Sequence, residues 1–357
     1  MIIALFGYSG TGKTSLFEIL SQRKAEFRHH HEGKHELPRA VCQVPDERLE
    51  RLAGAYPDKK KVLVHLELVD FPGLAAGEMS ANQYLAQLRQ ADGLVHVVRS
   101  FENPAVPHPR ARINPADDIR AMLEELVLSD LMMVTGRLEK LEKDLKKLKE
   151  PEAEKEYALL GKIKPWLEQG QTIQHLGLTP SEEKMIRGFC LLSLKPILHL
   201  INLDEKQLAF LENPDELLIG LKPGTPVAAF CGKIEREILE LEEEERALFQ
   251  SMYGLLEPSS SRFFRKLYEV MGLIHFYTIG KEEVRAWVIR KNTPAVRAAG
   301  EIHSDIEKGF IRAEVLSFGD FEKHGSWHQA KEAGAIRLEG KEYPVQDGDI
   351  IYFRFNP

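Results

Sequence analysis

The chain has 357 residues, a length that suits two or three domains, and its 43% apolar and 29% charged residues are typical of a globular protein. No apolar run reaches the length of a membrane span and no signal peptide is expected, so we predict no membrane partner. The net charge of −7 disfavours nonspecific nucleic-acid binding and leads us to expect no DNA specificity, while three scattered cysteines favour a reducing, cytoplasmic setting.

The first pattern with chemistry is Gly7-Tyr8-Ser9-Gly10-Thr11-Gly12-Lys13-Thr14, which fits the P-loop motif G-x-x-x-x-G-K-[ST]. An apolar strand pattern precedes it and a helical pattern follows, which disfavours the alternative of a chance glycine-rich turn. Backbone N–H groups of such a loop and the helix N-terminus bind phosphate oxygens. We predict that Lys13 reaches the β- and γ-phosphates and that the Thr14 hydroxyl holds Mg²⁺. The predicted nucleotide contacts in this loop are Gly10, Thr11, Gly12, Lys13, Thr14 and Ser15.

The next segment, 22–37, is polar and contains His29, His30, His31 and His35. Without an apolar frame, these histidines fit a mobile loop better than a metal site. In a P-loop NTPase this segment is the first switch, which usually carries a Thr that senses the γ-phosphate. No Thr lies between Thr14 and Thr135 in this chain.

A strand pattern at 62–69 ends in Asp70-Phe71-Pro72-Gly73, the D-x-x-G of P-loop NTPases. An Asp at such a strand end can hold Mg²⁺, usually through water, and the N–H of Gly73 is placed to meet the γ-phosphate. Leu74 follows, where many GTPases carry a Gln that orients the attacking water. Because Leu74 has no polar group, another group must position that water.

A helical hairpin is predicted after the buried strand pattern at 93–99 and the proline-rich loop at 101–114. Its first helix carries a heptad seam of Val127, Leu131, Val134, Leu138, Leu141, Leu145 and Leu148. Pro151 interrupts the seam, and Ala153, Tyr157, Leu160 and Leu167 indicate a returning helix. The charged flanks favour an exposed hairpin that contacts a partner, with two ordinary packed helices as the alternative. A capping box at Thr179-Pro180-Ser181-Glu182 predicts a further helix through Leu192.

The strand pattern at 195–201 ends in Asn202-Leu203-Asp204-Glu205, where GTPases carry N-K-x-D. The Asp of that motif accepts hydrogen bonds from two guanine donors, which adenine lacks. Here Leu203 replaces the Lys, and Glu205 moves the carboxylate by one methylene. An unpaired buried polar group costs about 1–3 kcal/mol, so this change can alter base choice. A later strand leads to Cys231-Gly232-Lys233, the loop that packs around the base in this fold. The predicted base contacts are Asn202, Leu203, Glu205 and Lys233.

The carboxyl-terminal part has the pattern of a β-grasp module. A strand pair at 274–278 and 284–289 is followed by a short helix at 295–302 and by strands at 310–316 and 350–355. Its basic residues either form an RNA-contacting patch or belong to an ordinary solvated face. They are Lys281, Arg285, Arg290, Lys291, Lys308 and Arg312.

Together the patterns predict an α/β protein with three parts. A P-loop nucleotide-binding domain with a mostly parallel sheet covers 1–124 and 190–270. A helical hairpin, or coiled coil, is inserted at 125–189, and a β-grasp domain covers 273–357.

Nearly the whole chain resembles the YchF/Obg-like ATPase family, a branch of the Obg-related P-loop NTPases. The matching motifs lie at 44–49 (VPDERL), 96–103 (HVVRSFEN), 114–119 (NPADDI), 202–205 (NLDE), 283–287 (EVRAW), 298–303 (AAGEIH), 307–315 (EKGFIRAEV) and 345–349 (VQDGD). The resemblance implies ATP preference through N-x-x-E, slow hydrolysis with Mg²⁺, a TGS domain at the carboxyl end, and association with ribosomes or ribosomal RNA. The family also has a hydrophobic residue after D-x-x-G and a histidine before the N-P motif, positions held here by Leu74 and His108. His108 is therefore the candidate water-positioning group, beside Lys13 and Gly73 as the other candidate catalytic groups.

Three features depart from the family. The P-loop has Gly10 and Thr11 where Asn-Val usually precedes Gly-Lys, the first-switch Thr is missing, and the glycine-rich stretch after D-x-x-G is shortened to 75–78 (AAGE). The last two bear on hydrolysis and switching more than on binding. Two functions stay open: an ATPase whose nucleotide cycle controls ribosome association, and a nucleotide-gated ribosome- or RNA-binding module with negligible hydrolysis. A GTPase is a further alternative.

Overall fold

A computed structural model describes residues 1–22, 37–75, 82–148, 150–255 and 257–356. The strands are β1 (Ile2–Phe6), β2 (Arg39–Gln43), β3 (Lys60–Val62), β4 (His65–Asp70), β5 (Gly93–Arg99), β6 (Ile197–Asn202), β7 (Val227–Phe230), β8 (Leu273–Ile279), β9 (Glu283–Arg290), β10 (Phe310–Leu316), β11 (Arg337–Glu339) and β12 (Ile350–Phe355). The helices are α1 (Lys13–Ser21), α2 (Glu47–Gly54), α3 (Asn82–Leu88), α4 (Pro115–Leu145), α5 (Pro151–Glu168), α6 (Pro180–Ile186), α7 (Gly232–Glu240), α8 (Glu243–Met252), α9 (Ser259–Met271), α10 (Ala295–Ile302), α11 (Ser304–Lys308), α12 (Phe318–His324) and α13 (Trp327–Glu332). Within the described ranges, every helix is too short or too polar to cross a membrane.

The chain divides into two compact units. The first comprises Met1–Val41 and Glu67–Ser259, and the second comprises Cys42–Leu66 and Ser260–Pro357. The segment between Cys42 and Leu66 therefore leaves the first unit and folds with the carboxyl-terminal part of the chain.

The first unit is built on a sheet with the strand order β2-β4-β1-β5-β6-β7. The pairings from β4 to β7 are parallel, which confirms the predicted mostly parallel sheet. Strands β5 and β6 are buried along their whole length, as expected of parallel strands covered on both faces. Because the carboxyl ends of parallel strands meet at one edge, the loops after β1, β4, β5, β6 and β7 are brought together there.

The helical hairpin consists of α4 and α5. Helix α4 is 31 residues long, and the Asn114 side chain caps it by accepting a hydrogen bond from the Asp117 N–H. Its first turns pack beside the sheet and its later turns pack on α5, so the predicted boundary at residue 125 falls inside one continuous helix. The seam from Val127 to Leu141 is buried or partly buried, but Leu148 lies beyond the helix end with 63% of its surface exposed. Leu145, the last residue of the helix, is partly buried, so the seam lacks only its last predicted position.

The capping box at Thr179 forms as predicted. The Thr179 hydroxyl accepts from the Glu182 N–H, while the Glu182 carboxylate accepts from the Thr179 N–H. The helix that it starts ends at Ile186, and the expected continuation through Leu192 is wrong. The chain continues in short 3₁₀ turns instead, with Cys190 in the left-handed region at φ 49°.

The second unit has a mixed sheet with the strand order β11-β10-β12-β8-β9-β3. Strands β8 and β9 form an antiparallel hairpin, β10 pairs antiparallel with β11 and β12, and β8 pairs parallel with β12. Helix α10 packs on one face of this sheet, and its residues Ala295, Ala298 and Ala299 are fully buried in the core. These are the elements expected of a β-grasp module.

The strand pattern at 62–69 is divided in the structure. Strand β3 pairs in parallel with β9 at the edge of the second sheet, whereas β4 pairs in parallel with β1 in the first sheet. Between them the Val44 N–H donates to the Val64 carbonyl at 2.9 Å. Only Val62 of the pattern therefore belongs to the second sheet, whereas its residues from His65 to Val69 belong to the first.

Candidate functional site

The loop after β1 approaches its neighbours so closely that side chains at two glycine positions are excluded. Gly12 has φ 96°, and a Cβ there would clash with the amide nitrogen of Asn202. Gly10 has φ 72°, and a Cβ there would lie 2.6 Å from Cγ1 of Val106. Both positions favour glycine because left-handed backbone is strained for other residues. The structure thus explains the second glycine of the predicted P-loop motif, Gly12, and also the additional glycine at position 10.

Lys13 is buried inside this loop. Its ammonium donates to the carbonyls of Tyr8 at 2.7 Å and Gly7 at 3.2 Å. Burial lowers the pKa of Lys13 to about 8, while the nearby Asp70 carboxylate acts in the opposite direction. A cation already placed within the loop favours bound anions, as the P-loop chemistry requires.

Thr14 and Asp70, the two residues predicted to hold Mg²⁺, are hydrogen-bonded to each other. The Thr14 hydroxyl donates to Oδ2 of Asp70 at 2.7 Å, and Asp70 is 1% exposed. Burial raises the pKa of Asp70, and its Oδ1 has no hydrogen-bond partner among the described residues. A hydroxyl beside an unsatisfied carboxylate oxygen suits Mg²⁺, which prefers oxygen ligands and retains several waters. No group of three or more His, Cys, Asp or Glu side chains in the described ranges could hold a metal, so phosphate and water would complete its shell.

The Asp70–Gly73 loop is hydrogen-bonded to the loop after β1. The Ser9 N–H donates to the Leu74 carbonyl at 2.9 Å, and the Leu74 N–H donates to the Gly7 carbonyl at 3.1 Å. A Cβ at Gly73 would lie 2.5 Å from Cα of Ser9, so the close approach requires glycine. The Leu74 side chain is buried in the core, which agrees with the expectation that it positions no water.

Two cavities adjoin at this edge of the sheet. The smaller, about 410 Å³, is lined by Ser9, Gly10, Gly12, Lys13, Thr14, Ser15, Asp70, Phe71, Pro72 and Gly73. The larger, about 750 Å³, is lined by Gly10, Gly12, Ser15, Asn202, Leu203, Glu205 and Lys233 among the predicted residues, and also by Phe101, Asn103 and Arg236. The first has the residues of a phosphate and metal site, and the second is large enough for a base and ribose.

Asn202 joins three loops of the larger cavity. Its Oδ1 accepts from the Gly232 N–H at 3.0 Å, and its Nδ2 donates to the Thr11 carbonyl at 3.0 Å. Thr11 therefore takes part through its backbone, and its side chain is buried. The asparagine of the N-x-x-E motif therefore links the P-loop to the loop after β7 and fixes two walls of the cavity.

Glu205 and Lys233 form an ion pair at the mouth of the larger cavity. The hydrogen bond from Lys233 to Glu205 raises the pKa of the lysine. Leu203 lines the cavity, but its side chain is 2% exposed and packs in the core. The carboxylate that would read guanine is thus engaged by a cation, and the position of the GTPase lysine is occupied by a core residue.

The side chain of His108 is buried, although it lies in the proline-rich loop between β5 and α4. It is 8% exposed, its ring packs edge-on against Tyr8 with centroids 5.9 Å apart, and it lines neither cavity. Its Nε2 lies 3.1 Å from Oδ2 of Asp118, and its Nδ1 accepts from the Arg110 N–H at 3.2 Å. Burial, with the positive charges of Arg99 and Arg110, lowers the pKa of His108.

Sequence reasoning missed Arg99 and Asp118, although both lie in motifs that carried the family resemblance. Arg99 is 1% exposed and donates to the carbonyls of Phe101 at 2.8 Å, Val106 at 2.8 Å and Asn103 at 3.3 Å. It therefore holds the loop that forms one wall of the larger cavity. A charged residue ending an otherwise apolar strand was the available signal.

Other candidate residues belong to the second unit or lie outside the described residues. His29, His30, His31 and His35, and residues 76–78 of the shortened stretch, lie outside the described residues. In the second unit, strand alternation puts Arg285 and Arg290 on opposite faces of β9, and Arg285 pairs with Glu283 at 3.0 Å. The six basic residues proposed as an RNA patch therefore do not share one face.

Comparisons with known proteins bear on both units. Residues 2–137 match a family described as a 50S ribosome-binding GTPase, and residues 273–356 match YchF-GTPase_C, described as a protein of unknown function (DUF933). Ribosome-binding ATPase YchF of Bacillus subtilis is 36% identical over 99% of this chain and 98% of that protein. Obg-like ATPase 1 of Xenopus laevis is 33% identical over 99% of this chain and 92% of that protein. The solved structure of the Schizosaccharomyces pombe YchF GTPase has a TM-score of 0.82 at 26% identity, covering 99% of this chain and 97% of that one.

Proposed function

The chain belongs to the YchF/Obg-like ATPase family, and on that premise we propose that it is a slow, Mg²⁺-dependent ATPase whose nucleotide state controls association with the ribosome. The observation that carries the hydrolase proposal is the cavity between the P-loop and the Asp70–Gly73 loop. Its lining combines a buried lysine, a threonine hydroxyl and a carboxylate with an unsatisfied oxygen. The ribosome is proposed as the partner because similar proteins bear the name ribosome-binding ATPase.

The phosphate chemistry assigns separate tasks to the residues of the smaller cavity. Backbone N–H groups of the P-loop bind the phosphates, and Lys13 places its charge against the β- and γ-phosphate oxygens. Thr14 and Asp70 would hold Mg²⁺, which neutralises charge on the phosphates when bound. The Gly73 N–H donates to the γ-phosphate and fixes its orientation.

Hydrolysis requires a water in line with the bond that breaks. Water attacks the γ-phosphorus, the bond to the bridging oxygen of ADP breaks, and the water proton passes to an acceptor. Leu74 supplies no acceptor, and we propose that His108 positions this water after leaving its buried site. A neutral imidazole can accept that hydrogen bond near neutral pH.

Single-turnover ATP hydrolysis by wild type and His108→Ala tests this role. Loss of one positioning or acid–base group typically lowers a rate by about 10²–10⁴, while ATP affinity should stay within a few-fold because His108 lines neither cavity. His328→Ala, which removes an exposed histidine of the second unit, is the matched control. Full hydrolysis by His108→Ala from a measurable baseline would assign the role to another group.

The binding-module alternative is favoured by one observation, the burial of His108 away from both cavities. If it is correct, wild type hydrolyses ATP at the background rate with and without ribosomes, yet still binds ribosomes differently with ATP and with ADP. Cosedimentation with ribosomes in each nucleotide state, run beside the single-turnover assay, separates the two functions.

Base preference is tested by measuring ATP and GTP affinities side by side by calorimetry. We expect ATP to bind more tightly because Glu205 is engaged by Lys233 and Leu203 occupies the lysine position. Tighter GTP binding would contradict the ATPase proposal and favour the GTPase alternative.

A further inference from the structure

The loop between β5 and α4 is fastened at both ends by arginines. Arg99 holds its beginning through three backbone carbonyls. Arg110 holds its end by donating to the Asp117 carbonyl at 2.8 Å and to Oδ1 of Asp118 at 3.2 Å. His108 lies between these anchors, so its position depends on side chains that also contact the loop ends.

One ring nitrogen of His108 accepts a hydrogen bond in this position, and the other faces a carboxylate. Because Nδ1 accepts the Arg110 N–H, it carries no proton, and the ring proton of the neutral imidazole is on Nε2. Nε2 faces Oδ2 of Asp118 at 3.1 Å, and the side chains of His108 and Asp118 are 3% and 1% exposed. Neither nitrogen can accept a hydrogen bond from a catalytic water while the ring stays here.

The contact between the two side chains is close but poorly aligned. Nε2 of His108 and Oδ2 of Asp118 are both buried. Among the described residues, neither atom has a partner that meets the geometric criteria for a hydrogen bond. Leaving a buried polar atom without an aligned hydrogen bond costs free energy. The attraction between His108 and Asp118 is therefore electrostatic, and it holds the imidazole ring less firmly than a full hydrogen bond would. Such a contact can be broken without losing a strong bond.

We propose that Asp118 is a positioning residue that holds His108 in a resting site beside Tyr8, and that the two must separate before His108 can reach the attacking water. The resting site rests on the contacts of His108 with Asp118 and Tyr8, while the catalytic consequence rests on the proposed function.

The charges around the pair agree with this role for Asp118. Burial raises the pKa of Asp118 to about 6 against the opposing effect of Arg110, so the carboxylate is mainly ionised at neutral pH. The charged groups around the pair are Arg99 and Arg110 near His108, and Arg110, Arg112 and Asp117 near Asp118.

The first test measures how accessible His108 is in the full chain without nucleotide. Wild type and Asp118→Asn are treated with diethyl pyrocarbonate, and modification of the His108 peptide is followed by mass spectrometry. We expect the modification rate to rise roughly five- to tenfold in the variant, because the charged partner of Nε2 is gone. Asp117→Asn is the matched control, since Asp117 pairs with Arg112 and Arg120 at the same helix start and does not contact His108.

The second test measures hydrolysis in the same proteins. Asp118→Asn should raise the single-turnover rate with ATP affinity unchanged, and the double variant with His108→Ala should lose that rise. A purely structural role for Asp118 would not produce a gain that depends on His108. If Asp118→Asn does not fold, Arg110→Gln serves instead, because it removes the guanidinium that fixes Oδ1 and keeps the backbone N–H on Nδ1.

The outcomes separate this proposal from the proposed function. If His108 becomes reactive in Asp118→Asn while His108→Ala hydrolyses like wild type, the resting site is supported and the catalytic role of His108 fails. If His108 stays as protected in Asp118→Asn as in wild type, the resting site is overturned. If Asp118→Asn hydrolyses as slowly as His108→Ala without exposing the ring, Asp118 orients His108 for catalysis and the proposal is overturned as well.

Discussion

The buried pair His96 and His199 should make the first unit sensitive to acid. They lie in register on the neighbouring strands β5 and β6, with their Nδ1 atoms 3.1 Å apart and exposures of 0% and 2%. One Nδ1 must donate and the other accept, and burial disfavours a charge on either ring, so the pair is neutral. The ring of His96 also packs against Phe6. Its Cδ2 would lie 3.2 Å from a Cβ added at Gly7, so the ring is directly beneath the P-loop.

The direction and size of the effect follow from linkage. Burial lowers the pKa of His199 to about 3. Burial also lowers the pKa of His96, together with repulsion from His199 when that ring is protonated and from Lys13. In the unfolded chain each imidazole has a pKa of about 6.5, so the unfolded state binds protons that the folded state does not. The free energy of unfolding is therefore unaffected above the pKa of the unfolded state, and it falls as the pH drops below that pKa. Between pH 7 and pH 5 the loss is about 2 kcal/mol per imidazole, or about 4 kcal/mol for the pair.

The assay is urea unfolding at pH 7, 6 and 5 at constant ionic strength, for wild type and His199→Asn. The asparagine amide can take the place of Nδ1 and keep a hydrogen bond to His96. The variant should therefore lose about 2 kcal/mol less than wild type over this range, since one buried imidazole remains. His328→Asn changes a histidine that is 81% exposed and should keep the wild-type pH dependence. Equal pH dependence in His199→Asn and wild type would refute the reasoning.

The remaining predictions concern the nucleotide site. Lys13→Ala should weaken ATP binding in calorimetry because it removes the positive charge within the loop, and unchanged affinity would remove the P-loop assignment. Thr14→Ala should reduce the dependence of ATP binding on Mg²⁺, measured by titrating the metal, because the hydroxyl beside Asp70 is lost. Leu203→Lys combined with Glu205→Asp should shift the ratio of ATP to GTP affinity toward GTP, and an unchanged ratio would assign base choice to other residues of the cavity.

The loop that we propose as the phosphate site could be recognised from sequence because its determinants are local. Glycine spacing, the following lysine and threonine, and the preceding apolar strand all lie within 14 residues, and the structure needs glycine at Gly10 and Gly12 for reasons of backbone and space. The edge of a parallel sheet then brings Asp70 and Asn202 to the same place. The P-loop, Asp70 and Asn202 each lie at the end of a strand, and the apolar run of each strand makes that end recognisable in the sequence.

The buried position of His108 could not be predicted in the same way. Its partner Asp118 lies ten residues along the chain, and its neighbour Tyr8 lies in the P-loop. A proline-rich loop gives no periodic signal, so nothing in its pattern indicated that one side chain is buried. Similarly, the buried Arg99 was treated as the last residue of a strand, although its hydrogen bonds to three carbonyls shape the cavity wall.

The motif at 44–49 shows how a family motif can be structural. Asp46 caps α2 by accepting from the Arg48 and Leu49 N–H groups, and its other oxygen accepts from Nδ1 of His275 at 2.6 Å and the Tyr277 hydroxyl at 2.8 Å. Arg48 in turn donates through both terminal nitrogens to the Asp347 carboxylate. One carboxylate that serves four donors cannot be replaced by an amide, which would offer only one oxygen and an additional donor. The motif therefore fastens the segment from Cys42 to Leu66 to strand β8 and to the turn before β12. This explains why residues that lie in sequence between two strands of the first sheet fold with the second unit.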